Sequence, residues 1–390
     1  MSDRLSVLHV HSGNLYGGVE TLLVTLGRGA NWEPSDLHRF ALCYDGRLAE
    51  TLRAAGAQVS LLGAVRISRP WSVARGRGRL AALLRQARPD VAVLHSPWAQ
   101  VLFGGPVRRA GVPVVFCMHG AAARHTWLDR MARRGPAPNL VVANSEYTRG
   151  GAQKLFPGAP VEVCRYPVEP PPHPPDAAER AAIRRETGTG EHDVVILHAG
   201  RMEAWKGHAV LLDAVAGIGP DLPWRCWFAG GGQRESEVRY AASLHAKAAA
   251  LGIADRVRFL GERRDVPRLM AAADLYCQPN VQPEPFGIVF IEALYAGLPV
   301  VAVAAGGAAE IVDASCGVLV PAGEWDRLTA GLQQLVADEG LRASLGRSGP
   351  ARARLLCDPR QRLAALHELL FRAAREAASE RGRRSRRALA

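Results

Sequence analysis

The run Glu284-Pro285-Phe286-Gly287-Ile288-Val289-Phe290-Ile291-Glu292 sets two carboxylates eight positions apart, at the two ends of an apolar segment. A strand-like run ends at Cys277, and Gln278-Pro279-Asn280 reads as a loop. Proline suits the first position of a helix, where its missing N–H would find no acceptor anyway. The helix is therefore expected to begin at Pro285 and to run through Leu294, until Gly297 and Pro299 stop it. On that reading Glu284 lies at the helix mouth and Glu292 about 12 Å further along, at about 1.5 Å per residue. The N–H groups of Gly287 and Ile288 lie between them at the positive end of the dipole, which is a seat for a diphosphate. Two carboxylates flanking that seat could accept hydrogen bonds from the hydroxyls on either side of a sugar nucleotide's diphosphate.

Outward from this stretch, short β-branched runs alternate with helical patterns. In the first half Leu5–Val10, Val91–Leu94, Val112–Phe116 and Leu140–Ala143 read as strands. In the second half Val194–Leu197, Trp224–Phe228, Val257–Leu260, Leu275–Cys277, Val300–Val303 and Val318–Val320 repeat the pattern. Runs of this kind are buried on both faces, as in parallel sheets covered by helices. Pro167-Val168-Glu169-Pro170-Pro171-Pro172-His173-Pro174-Pro175 separates the halves as a stiff connector. The expected order is a Rossmann-like domain over 1–166, a proline-rich linker and entry helix over 167–190, and a second Rossmann-like domain over 191–357. An amphipathic helix over 358–380 and a basic, disordered tail over 381–390 complete it.

The length of 390 residues suits two domains, each with its own core. The longest uncharged apolar stretch, Ala293 to Ala309, contains Gly297, Pro299, Gly306 and Gly307, so it reads as helix end, turn and strand, not as a membrane span. No secretory signal precedes the short apolar run after Arg4, and a cytoplasmic location is expected. Seven cysteines lie scattered without a C-x-x-C pair, as in a reducing compartment. The net charge of +12 is carried almost wholly by arginine; Lys154, Lys206 and Lys247 are the only lysines. It is also uneven, since the first 170 residues hold 21 basic and 11 acidic side chains. That asymmetry points to an acidic partner for the first half. The segment Arg66 to Leu80 places five arginines around Trp71, so peripheral contact with an anionic membrane is one candidate. A soluble arginine-rich loop is the other, because Gly76 and Gly78 weaken a continuous helix. The aromatics are not interleaved with arginines as a nucleic-acid stacking surface needs, so no nucleic-acid partner is expected.

The two glutamates and their setting resemble the E-x7-E motif of retaining glycosyltransferases with the GT-B fold. That large family, glycosyl transferases group 1 or family 4, includes mannosyltransferases and sucrose synthases. The resemblance covers most of the chain and is closest from about Val195 to Val320. It implies an α/β fold of two Rossmann-like domains with parallel sheets facing across a cleft, and a closing helix that crosses back to the first domain. His198-Ala199-Gly200-Arg201-Met202-Glu203-Ala204-Trp205-Lys206-Gly207 is similar to the family's G-R-x4-K-G segment. Arg201 and Lys206 would hold the donor diphosphate, at the carboxyl end of a strand where open α/β sheets bind ligands. Cations placed there neutralise the leaving group as the glycosidic bond breaks.

By the same resemblance Glu284 would hold the hexose hydroxyls and Glu292 the ribose hydroxyls, with Phe286, Gly287 and Ile288 between them. Gly231, in Gly230-Gly231-Gly232, would approach the donor, as would Gly17 and Gly18 after the first strand. A plain tight turn explains either glycine loop as well. Glu310, in a segment similar to G-G-x-x-E-I-V, reads as structural. His119 matches a family histidine beside the reacting sugar and could bond a hydroxyl or move the acceptor proton, while a histidine capping loop backbone is the plainer reading. His95 and His125 are lesser candidates for that role. Asn280 departs from the commoner serine. No D-x-D triplet, zinc spacing or P-loop occurs, so neither metal nor cofactor is expected, only a nucleotide-sugar donor and an unidentified acceptor, among them a lipid-linked one. An epimerase or phosphorylase on the same fold remains open, and so does a protein that binds a sugar nucleotide or a nucleic acid without catalysis.

Overall fold

The computed structural model describes residues 4–28, 36–120, 126–171 and 176–389. Its chain separates into two compact units, Met1–Pro167 with Asp358–Ala390, and Val168–Cys357. The first holds seven parallel strands: β1 (Ser6–His11), β2 (Leu37–Leu42), β3 (Gln58–Leu61), β4 (Val91–Leu94), β5 (Val114–Met118), β6 (Leu140–Ala143) and β7 (Val161–Val163). Their order is β3-β2-β1-β4-β5-β6-β7. Every residue of β4, β5 and β6 is buried, which is why apolar runs announced them. The strands β2, β3 and β7 were not anticipated. They carry His38, Arg39, Gln58 and Glu162 and are only partly buried, so they lack a continuous apolar signature.

The second unit holds six parallel strands: β8 (Val194–Ala199), β9 (Trp224–Ala229), β10 (Val257–Gly261), β11 (Leu275–Gln278), β12 (Val300–Val303) and β13 (Gly317–Val320). Their order is β10-β9-β8-β11-β12-β13. Trp227, Tyr276, Phe228 and Phe290 are among its fully buried side chains, and an apolar side chain of that size contributes roughly 1.5–3 kcal/mol when fully buried. The helix Ala177–Glu186 is bound into this unit by Arg184, which is buried. Its guanidinium donates to the carbonyls of Ala272, Gly190 and Asp193 and meets Asp274 at 2.5 Å. Residues 172–175 of the proline-rich connector lie outside the described residues.

The last helix, Pro359–Leu389, belongs to the first unit. Leu363, Leu366, Leu370 and Ala373 recur at helical spacing and are buried. His367 Nδ1 lies 2.9 Å from both carboxylate oxygens of Asp36, and Arg372 meets Glu162 at 2.9 Å. The backbone stays helical to Leu389, where a disordered tail from residue 381 was expected. The arginine-rich segment after Arg69 also differs from expectation, since Pro70–Ala87 is one helix of 18 residues. Gly76 does not break it. A Cβ there would lie 2.6 Å from Val65, so the glycine lets the helix settle onto the core. Among the described residues no helix is long and apolar enough to cross a membrane.

In an open α/β sheet ligands bind at the carboxyl ends of the strands, where the strand order reverses. That point lies between β1 and β4 in the first unit and between β8 and β11 in the second.

Candidate active site

In the second unit the loops after β8 and β11 meet at this point. Gly207 has φ +80, and a Cβ on it would lie 1.9 Å from the Pro279 carbonyl, so only glycine lets the two loops touch. Val281 N–H donates to the Trp205 carbonyl at 2.9 Å and closes the contact. Lys206 is thereby brought to Glu284, with Nζ 2.7 Å from Oε2, while its ammonium lies 4.1 Å from the centroid of the Trp205 ring. The same oxygen accepts from Asn280 Nδ2 at 2.9 Å and Gln278 Nε2 at 3.2 Å. Gln278 is held in turn by the Tyr276 hydroxyl, which donates to its Oε1 at 2.7 Å. Glu284 is buried, and three donors on one oxygen compensate that burial. Among the described residues no donor reaches its other oxygen, Oε1.

The helix of this stretch begins later than expected, at Ile288, and ends at Tyr295. Pro285 is not its first residue. Glu284 pairs its backbone with Gly306 in an isolated bridge, and Gly307 N–H donates to the Glu284 carbonyl at 2.6 Å. These contacts keep Glu284 out of the helix, and Gly287, at φ +98, turns the chain into it. Phe290 N–H donates to the Gly287 carbonyl at 3.0 Å, while the N–H groups of Ile288 and Val289, at the start of the helix, have no intrahelical acceptor. Phe286 and Ile288 are buried, so their side chains serve the core. Glu292 is half-buried, and among the described residues no donor reaches its carboxylate. Burial pushes that group up to about 7.

Arg201 is held by two carboxylates, Glu203 at 2.7 Å and Glu237 at 3.4 Å. Glu237 is buried and also accepts from the Gln233 N–H at 2.8 Å. The glycines after β9 have packing reasons of their own. A Cβ on Gly230 would lie 1.8 Å from the Gly200 carbonyl, and one on Gly231 would lie 3.0 Å from Glu262. Glu310 is half-buried, and its carbonyl accepts from Arg352 at 2.9 Å.

The first unit builds something different on one face of its sheet. His119 Nε2 lies 2.8 Å from His95 Nδ1, His95 Nε2 2.9 Å from His9 Nδ1, and His9 Nε2 2.8 Å from His38 Nδ1. Each of these ring pairs has its centroids 5.1 Å apart. Neighbouring strands lie about 4.8 Å apart, so one imidazole per strand on one sheet face forms an unbroken hydrogen-bonded row. The row crosses β2, β1, β4 and β5 and ends at Tyr166, whose hydroxyl bonds His119 Nδ1 and accepts from Asn144 Nδ2 at 2.9 Å. Burial lowers all four histidines, His38 to about 4 and His119 to about 3, so the row is neutral. Both ring nitrogens of His119 are thus engaged by protein groups. Gly17 and Gly18 open the helix Gly18–Gly27, whose first turn contains buried Glu20, paired with His11 at 2.8 Å. His125 lies outside the described residues.

The family model for glycosyl transferases group 1 matches residues 179–352, and that for glycosyltransferase family 4 matches 16–171. The GDP-mannose-dependent alpha-(1-6)-phosphatidylinositol monomannoside mannosyltransferase of Mycolicibacterium smegmatis is 31% identical over 264 residues, covering 64% of this chain and 67% of the relative. The chain belongs to the group 1 glycosyltransferases. Another relative, the D-inositol 3-phosphate glycosyltransferase of Salinispora tropica, is 32% identical over 273 residues, with 63% of this chain and 56% of the relative covered. The chain thus spans between half and three quarters of the curated relatives it matches here. Among solved structures, Anabaena HepE in complex with UDP and glucose superposes with a TM-score of 0.84 at 24% identity, over 94% of this chain and 100% of that one. The fold is therefore GT-B, with its two parallel sheets of seven and six strands.

Within this glycosyltransferase the structure brings together Lys206 and Glu284, and it adds Gln278 and Asn280, which the sequence had not marked for the site. One signal was available for Asn280. It stands where the family more often has serine, and its longer side chain reaches the glutamate.

Proposed function

We propose that this glycosyltransferase moves a hexose from a nucleotide-diphosphate sugar to a hydroxyl acceptor, with retention of configuration and without a metal ion. The observation that carries the reading is Glu284, with three donors fixing Oε2 and Oε1 left for a sugar hydroxyl. Lys206, already against that carboxylate, is placed to share its charge with a phosphate oxygen. Arg201 supplies a second cation, and the first turn of the helix Ile288–Tyr295 supplies N–H groups including that of Ile288. Glu292, without a protein donor, takes the ribose hydroxyls. As the anomeric carbon–oxygen bond to the diphosphate breaks, the acceptor oxygen bonds that carbon on the same face, and its proton passes to the departing phosphate oxygen. No carboxylate nucleophile is needed. His119 would take part through the row that fixes it, orienting the acceptor and not abstracting its proton, because its neutral ring is a weak base there.

The names of the relatives support a nucleotide-sugar donor and a lipid-linked acceptor, since one uses GDP-mannose on a phosphatidylinositol monomannoside. A cytoplasmic enzyme docked on an anionic membrane would suit that acceptor. Trp71 is 58% exposed on the helix Pro70–Ala87, with the Arg75 guanidinium 5.5 Å from its ring. The test is a panel of UDP-, GDP- and ADP-sugars, scored for transfer and for anomeric configuration by NMR, with and without EDTA. Retention that survives chelation is the expected result. Inversion, or activity restored only by added manganese or magnesium, would refute the mechanism.

A further inference from the structure

One cluster in the first unit, which shares His119 with the acceptor side of the proposed transfer, carries a ligand set that the transfer itself does not call on. The register Leu94↔Phe116 brings His95 beside Cys117 at the next level, and His119 follows two residues later on the same face. One ring nitrogen from each histidine and the Cys117 sulfur lie within 4.8 Å of one another. We propose that His95, His119 and Cys117 form a transition-metal site of the two-imidazole, one-thiolate type that takes Zn2+. One ligand, His119, also orients the acceptor in the proposed transfer, so the site is tested by metal binding itself and not by activity.

Three features support it. The donor set is chemically right, because imidazole and thiolate together favour zinc over magnesium or calcium. Its outer shell is already built. A ligating imidazole needs its other nitrogen fixed. His95 Nε2 is fixed by His9 at 2.9 Å and His119 Nδ1 by Tyr166, itself held by Asn144. The two remaining nitrogens are hydrogen-bonded to each other at 2.8 Å, and an ion with Zn–N bonds of about 2.0–2.1 Å would replace that bond and part them to about 3.3 Å. When sulfur binds, the thiol proton leaves to solvent. A fourth position would face the pocket within the first unit that the same three residues line together with Tyr166 and Asn144.

The test uses the full-length protein, stripped with chelator and dialysed, then titrated with Co2+ as a spectroscopic probe and with Zn2+ as competitor. One equivalent of Co2+ should bind with a sulfur-to-cobalt charge-transfer band that Zn2+ abolishes. Cys117→Ser should remove the band. Tyr166→Phe should weaken binding about 10- to 100-fold, the scale for losing an outer-shell partner. A wild-type protein without the band overturns the proposal, as does a band that persists in Cys117→Ser with unchanged circular dichroism. Should that variant not fold, His119→Asn decides, because its ring is half-exposed. Undiminished Co2+ affinity in His119→Asn overturns the site.

Discussion

On one face of the first unit's sheet, reaching from the start of β2 across β1 to the carboxyl ends of β4 and β5, the polar groups include imidazoles in a neutral row, with the pair His11–Glu20 beside them. Between β8 and β11 in the second unit charges dominate, Lys206 on Glu284 and Arg201 on Glu203 and Glu237, with the buried histidines His198 and His208 beneath them. Both sheets are parallel and reverse at the same kind of point. Topology thus chooses where a ligand can sit, and the residues just past the strand ends choose what it can be. Fixed charges suit a diphosphate. Neutral groups that both donate and accept suit an uncharged hydroxyl, and they tolerate burial at less cost than unpaired ions.

The largest expected effect tests the charged side. Lys206→Ala should lower turnover at saturating donor by about 10²-fold or more, the scale for removing one preorganised electrostatic contact. It should also leave Glu284 buried without its cation, so a lowered melting temperature is expected with it. Near-normal turnover would break the contrast between the units, because the charge pair would then be structural only.

Next in size is Glu292→Gln, expected to weaken donor binding about tenfold, as for a hydrogen bond to an ionised acceptor. The pH dependence has a definite sign. The folded carboxyl titrates near 7, above its unfolded value, so the folded state holds the proton longer. Stability from this group is full below the unfolded value and is lost as pH rises through about 7. Donor affinity should move the other way, increasing as the carboxylate ionises. Calorimetric titration of the nucleotide between pH 6 and 8 would show both trends vanish in the glutamine variant.

Much of this was legible in the sequence. The strands β4, β6 and β12 stand where apolar runs put them, because a strand buried on both faces has no polar residues to confuse its pattern. The pair Glu284 and Glu292, proposed for the donor, was visible because both stand in one continuous run of sequence. The helix start was misplaced because the bridge from Glu284 to Gly306 is a contact 22 positions away, and local proline chemistry carries no trace of it. Glycines near the site misled in a similar way. The run Gly230-Gly231-Gly232 read as room for a ligand, yet Gly230 accommodates the Gly200 carbonyl and Gly231 lies against Glu262. The imidazole row was invisible for a third reason. His9, His38, His95 and His119 come from four strands, and only the strand order aligns them.

That row yields a smaller, acid-side effect. Its four histidines have folded values below the ordinary 6.5, so the unfolded chain binds more protons from there downward. Stability should therefore fall as pH drops below 6.5, by at most about 1.4 kcal/mol per pH unit for each histidine. Melting temperatures measured from pH 7.5 to 5 should decline, and His95→Asn should show a shallower decline despite a lower starting point. An unchanged slope in that variant would mean that the row does not govern acid stability.

The smallest effect concerns the outer surface of the first unit, where its charge does lie in the open. On the helix Pro70–Ala87 the side chains of Trp71, Arg75 and Arg79 are exposed. Arg77 turns inward instead, its Nε donating to the Leu102 carbonyl at 2.7 Å. The sequence treated these arginines alike, and the structure divides them. An exposed arginine at an anionic surface contributes on the order of 1 kcal/mol, roughly a fivefold change in binding. Arg75→Ser and Arg79→Ser should each reduce sedimentation with phosphatidylglycerol vesicles by about that factor, and the loss should shrink as salt rises. Trp71→Ala should weaken binding at every salt concentration, because its share comes from apolar burial. Arg77→Ser should leave vesicle binding unchanged and lower the melting temperature. Equal recovery of wild-type protein on neutral and anionic vesicles would show that this basic face meets no membrane.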